Sequence, residues 1–144
     1  MKMDLLKSLG KKPRKGKILG CEECVKKEKI PSKSKLDKLW REACIGLWGD
    51  KCEVCGSTPI NVHHIYSRAN RAVRWNPKNG IPLCVSHHIF DHRFSAHGAP
   101  AAFYSWLRDR RGELWFKELE REAREIHKYN KEDLLRIAKE LIED

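Results

Sequence analysis

Apolar residues recur at helical spacing in several stretches of the chain. Leu36, Leu39, Trp40, Ala43, Leu47 and Trp48 form one stripe. This predicts a helix over 34–48, with Ser34 as N-cap and Gly49 as a left-handed C-cap. Pro100 suits a first helical turn, and Phe103, Trp106 and Leu107 share one side of a helix expected over 101–110 and broken by Gly112. Leu114, Trp115, Leu119, Ala123 and Ile126 predict a further helix over 113–128, with these residues as its buried side. Asn130 and Asp133 read as a capping pair for a last helix to about 143. Between the first and second helices, residues 59–65 and 81–84 read as short strands around a polar loop at 66–80, and another helix is expected to begin near Ser86. The pattern predicts an α+β fold, mainly helical. Its segments are a basic N-terminal arm (1–33), a helix plus hairpin unit (34–98) and a C-terminal helical segment (99–144). There is no internal repeat.

Charge narrows the partner. The 144-residue chain has a formal net charge of +10. From Glu113 onward there are ten acidic and seven basic residues, a net of −3, so the first 112 residues carry +13. A basic body with an acidic helical end suggests a polyanion, and nucleic acid above all; the plainer alternative is a merely soluble basic protein. Lys11, Lys12, Arg14, Lys15 and Lys17 in the arm suit sequence-independent phosphate contact. No apolar run approaches a membrane span, and the first residues do not form a secretory signal. The expected location is therefore the cytoplasm, where paired cysteines suggest metal rather than disulfides.

Two cysteine-containing pairs carry the strongest chemical signal. Cys52-x-x-Cys55 is followed, after 28 residues, by Cys84-x-x-His87. A two-residue spacer lets both side chains of a pair reach one ion, and three thiolates with one imidazole suit tetrahedral structural Zn²⁺. Cys21-x-x-Cys24 leaves other arrangements open: a four-cysteine site with Cys52 and Cys55, a second site with an unidentified ligand, or no metal at all. The Cys52/Cys55/Cys84/His87 set is favoured because it brackets the histidines. Cys44 lies on an apolar helical face and reads as core.

If His87 serves zinc, His88 and His92 remain at i and i+4, the spacing at which one helical face offers two imidazoles to one ion. His63 and His64 lie at a strand end across the hairpin. Three imidazoles with open positions would leave room for water and a phosphate oxygen, so that an ion could act as a Lewis acid on a phosphodiester. A fourth histidine could deprotonate water. Arg68, Arg71 and Arg74, in the intervening loop, are candidates for phosphate contact.

These residues resemble the HNH, or ββα-metal, nuclease family. The stretch from Lys51 to His92 contains C-x-x-C, V-H-H-I and N-G-I-P-L-C-x-x-H-H. It is similar to the family's zinc-bracketed form, with His87 where a cysteine is usual. The ending H-I-F-D-H also resembles the colicin DNases of the same superfamily. The wider chain, through Arg68, Arg74, Trp75 and the stretch 100–106, resembles small phage-encoded HNH proteins, including NinG-like recombination nucleases.

The resemblance implies a ββα-metal core with a zinc knuckle. It implies His64 as general base, Asn79 as the residue that ties the hairpin loop and orients His64, and His63, His88 and His92 as ligands of a catalytic divalent ion. That ion would be Mg²⁺ or Mn²⁺, with Ni²⁺ or Zn²⁺ as alternatives; His97 is a rival third ligand, but the favoured reading of it is a polar loop residue. The implied activity is hydrolysis of DNA phosphodiesters in a bacterial or phage-infected cell, as nicking, double-strand cutting or branched-DNA cleavage. A homodimer is one way for so small a site to cut two strands. The competing expectation is a non-catalytic zinc module that binds nucleic acid.

Overall fold

The computed structural model describes residues 28–143. The basic arm as far as residue 27, with the Cys21/Cys24 pair, lies outside them. The described chain is α+β: helix α1 (Lys33–Trp48), strands β1 (Asn61–His64) and β2 (Gly80–Leu83), then helices α2 (Pro100–Arg111), α3 (Glu113–Ala123) and α4 (Lys131–Glu143). None of these helices is long and apolar enough to cross a membrane.

Ser32, rather than Ser34, caps α1: its side chain accepts from the Lys35 amide at 3.1 Å. Moving the cap two residues back leaves the apolar stripe unchanged. At the far end Gly49, at φ 93°, returns its N–H to the Ile45 carbonyl. Asn130 and Asp133 cap α4 reciprocally, with side-chain to backbone bonds of 2.8 and 3.0 Å. The expected helix over 113–128 ends instead at Ala123. Ile126, expected to be buried, is 93% exposed because it lies beyond that end, and Leu114 is also exposed.

The strands pair antiparallel, with His63 opposite Ile81 and His64 opposite Gly80. Successive strand residues face opposite sides, so the hairpin has a helix layer on each face. On one, Ile81 and Leu83 pack with Cys52, Cys84, Phe103, Leu107 and Phe116, joining the two cysteine-bearing segments to α2 and α3. On the other, Leu36, Trp40, Ala43 and Cys44 of α1 pack with Trp75 and with Leu141 of α4. The C-terminal helices thus belong to both core clusters around the hairpin. Cys44 is fully buried, as its apolar position suggested, and burial pushes its thiol up to about 12.

Two contacts fix the spacing of these layers. Arg111, its side chain 4% exposed, binds Glu53 at 2.7 Å and the Gly80 carbonyl at 3.1 Å, and stacks 3.6 Å from the Trp48 ring. It links the cysteine knuckle, β2, α1 and α2. Gly80 itself lies directly against α1: a Cβ there would overlap Cys44 Sγ and press on Trp40 and Val62 at 3.1 Å each. Overpacking of this kind costs about 1–3 kcal/mol. Gly80→Ala should therefore lower the urea midpoint without changing the slope of the transition, and an unchanged midpoint would show that α1 can move away freely.

Candidate metal centres and active site

Tight backbone turns form the cysteine knuckle. The Gly56 N–H donates to the Cys52 carbonyl and the Cys52 N–H to the Ser57 carbonyl, while Gly56 takes φ 72°. The Glu53 N–H reaches the Pro82 carbonyl and so fastens the knuckle to β2. Cys84 and His87 follow β2 directly. The four side chains converge: Cys55 Sγ is 3.8 Å from Cys84 Sγ, and His87 Nδ1 is 3.2 Å from Cys84 Sγ and 3.6 Å from Cys52 Sγ. A tetrahedron with metal–sulfur bonds of about 2.3 Å has sulfur–sulfur edges of about 3.8 Å. The quartet therefore fits a metal ion such as zinc, and its three cysteines form no disulfide. Bonding with Ser57 lowers the exposed Cys55 thiol to about 6, which favours the thiolate that a metal needs.

The second cluster is His63, His88 and His97. Their ring centroids form a nearly equilateral triangle: 5.1 Å from His63 to His88, 4.9 Å from His63 to His97 and 5.0 Å from His88 to His97. One nitrogen from each lies within 4.8 Å of the others. Burial, and then the neighbouring imidazoles, lower His63 to about 3; burial first, then His97, lowers His88. Both are thus held as neutral, ligand-competent rings. His88 Nδ1 is buried and has no hydrogen-bond partner among the described residues, an orphan that a bound cation would satisfy. The cluster fits a metal ion.

His92 does not join this cluster. The expected helix is a single π turn, Ser86–Phe90, and Asp91 is already extended at ψ 107°. The Asp91 side chain accepts from the Arg93 and Phe94 amides and turns the chain outward, leaving His92 exposed. The chain then returns: the Ala96 N–H donates to the His87 carbonyl and the His97 N–H to the His88 carbonyl. That return places His97 beside His88.

Strand alternation separates the first histidine pair. His63 faces α2, with Nε2 3.0 Å from the Tyr104 hydroxyl, which donates to the Ile65 carbonyl. His64 faces α1 and stacks on Trp40, with centroids 3.7 Å apart and planes 13° apart. Its Nε2 is 3.1 Å from the Arg74 carbonyl. A carbonyl only accepts, so Nε2 carries the proton and Nδ1 is left with its lone pair. Burial, against the Arg74 carbonyl and Asp37, lowers His64 to about 4.

Asn79 is fully buried. Its Oδ1 accepts from the Tyr66 N–H at 2.7 Å, and its Nδ2 donates to the carbonyls of Tyr66 and Val73, each at 3.0 Å. The side chain thus fastens both ends of the 66–73 loop to the start of β2.

The arginines separate. Arg68 is exposed and lines the cleft with the histidines. Arg71 is exposed and does not line it. Arg74, expected on phosphate, instead pairs through two bonds with Asp37, at 2.8 and 3.1 Å, with its side chain 19% exposed. Burial raises the Asp37 carboxyl, but bonds from Arg74 and Trp75 outweigh it and hold the carboxyl below its usual value.

The cleft has a volume of about 620 Å³ and holds His63, His64, His88 and His97 in one space with Asp37, Trp40, Arg68 and Tyr104. Asp37 and Tyr104 carry no candidate role in the sequence, and Trp40 reads there only as core. The spacing of Asp37 and Trp40 at i and i+3 on one helical face was the available signal. No family model matches the chain, and no curated protein or solved structure matches it.

Proposed function

We propose that the protein is a metal-dependent endonuclease that hydrolyses DNA phosphodiesters, with His64 as general base. The observation that carries this reading is one cleft holding a neutral His64 with an unprotonated Nδ1 beside a cluster of three imidazoles able to hold a cation. Three imidazoles that converge within ligand distance of one another, one of them buried and one with an unpartnered ring nitrogen, suit an ion, and the free Nδ1 of His64 in the same cleft suits a base. The knuckle and positive charge suit nucleic acid but would equally serve a non-catalytic binding module.

In this reading His64 Nδ1 takes a proton from water, and the Arg74 carbonyl keeps the proton already on Nε2 in place. Trp40 fixes the plane of the ring. Arg68 contacts a phosphate of the bound strand. An ion on His63, His88 and His97 would supply Lewis-acid stabilisation of the negative charge that develops on phosphate. Imidazoles without a carboxylate favour Mn²⁺, Ni²⁺ or Zn²⁺ over Mg²⁺, which prefers oxygen ligands.

The test is supercoiled plasmid with each ion in turn. Nicked or linear product is expected, dependent on the ion. His97→Ala should lose cleavage and weaken ion uptake by roughly tenfold or more, whereas His92→Ala should retain both. Plasmid binding without cleavage under every ion would favour the binding module.

A further inference from the structure

We infer that Asp37 is a positioning residue for the base: through the Arg74–Asn76 backbone, α1 sets the orientation of the His64 ring. The inference rests on reading His64 as the general base.

Three consecutive residues, beginning with the one whose carbonyl meets the base, are attached to α1. The Arg74 guanidinium meets both Asp37 oxygens, Nε to Oδ1 at 3.1 Å and Nη2 to Oδ2 at 2.8 Å. Trp75 Nε1 donates to Asp37 Oδ1 at 2.8 Å. The Asn76 carbonyl accepts from Trp40 Nε1 at 2.9 Å. The Arg74 carbonyl that holds His64 Nε2 therefore belongs to a backbone segment secured by one carboxylate and one indole. These two side chains lie one helical turn apart on α1, and the indole is also the surface on which His64 stacks. Asp37 consequently fixes the acceptor, and Trp40 fixes the plane. A carboxylate in a cleft meant for a polyanion is unfavourable for binding, and its neutralisation by Arg74 also removes Arg74 from phosphate contact. The Asp37–Arg74 pair thus favours orientation of the base at the expense of DNA affinity.

That opposition separates a positioning role from a merely structural one. Asp37→Ala leaves the Arg74 side chain free beside the cleft and removes a negative charge. DNA should bind as tightly as before or tighter, with a salt dependence steeper by about one phosphate contact. Turnover should nevertheless fall roughly 10- to 100-fold, the cost of a displaced reacting group. Asp37→Glu, which keeps the carboxylate, should recover part of the loss. Arg74→Gln removes the same clamp without releasing a cation, and should lower turnover without tightening binding.

A spectroscopic arm needs no cleavage. In nitrogen-15 imidazole spectra of the full chain, His64 should be a single Nε2–H tautomer in the wild type and a mixture in Asp37→Ala and Arg74→Gln. Unchanged turnover with a single tautomer in both variants would overturn the inference. So would a fall in turnover matched by an equal loss of folded protein in the unfolding transition. A wild-type protein that cuts nothing but shows the tautomer change would instead refute the nuclease reading and leave the positioning role standing.

Discussion

Cys84→Ser should leave the cysteine quartet unable to hold a metal ion and the chain without a cooperative unfolding transition at ambient temperature, and prolonged treatment of the wild type with a strong chelator should do the same. The hairpin shows why. Its strands have four residues each, too few for a two-stranded sheet to hold itself together. The four ligands flank it, with Cys52 and Cys55 before β1 and Cys84 and His87 after β2. A metal held by all four would close both ends of the hairpin at once.

Cys52 and Cys84 also lie in the main core cluster with Phe103 and Leu107. Loss of the ion would put unpaired thiols, or repelling thiolates, where α2 must dock. Structural zinc is worth about 10–16 kcal/mol to small zinc-finger peptides, whereas whole domains are stable by only about 5–15 kcal/mol. Metal analysis should find no zinc at this quartet in Cys84→Ser, and far-ultraviolet dichroism should show a gradual melt. A double Cys21→Ser, Cys24→Ser variant, altered outside the described residues, should keep both zinc and transition. If that variant unfolded while Cys84→Ser stayed folded, the quartet would be wrongly assigned.

The metal-ligand quartet was legible in the sequence because it is local twice over. Each pair is set by a two-residue spacer, and only the meeting of the pairs needs the fold. The helices were legible for a similar reason, since an apolar stripe repeats every turn and caps act over three or four residues. Errors arose where a local pattern depended on a helix that does not form. His88 and His92 share a face only if the chain continues helical beyond Phe90, and the Asp91 turn ends it. The third imidazole comes instead from His97, brought back by two backbone bonds that no side-chain pattern records. Arg74 shows the converse: its loop position suggested phosphate, but its partner lies 37 residues earlier in sequence on α1. Tyr104 joins His63 across 41 residues. Contacts that bridge such separations carry no spacing signature, so the environment of each histidine was hidden even where the histidine itself was conspicuous.

His64→Ala should abolish most of the cleavage that the wild type shows, by about 10²–10⁴-fold, the usual contribution of a general base and equivalent to about 3–5.5 kcal/mol of barrier. Ion binding at the three-imidazole cluster should be unchanged, because His64 faces α1 while His63, His88 and His97 hold the other side. Removing a half-buried ring from its stack on Trp40 leaves a gap and also costs stability, so alanine alone confounds chemistry with packing. His64→Gln separates them. A glutamine amide can still donate to the Arg74 carbonyl and fill part of the space, but its oxygen is far too weak a base to deprotonate water. Equal losses in the two variants, both folded and both binding DNA, would assign the defect to the missing nitrogen lone pair. Added imidazole should then restore part of the activity of His64→Ala, whose gap against Trp40 is shaped for that ring, and little of His64→Gln, where the gap is filled. Nicking by either variant within a few-fold of wild type would remove His64 from the role of base.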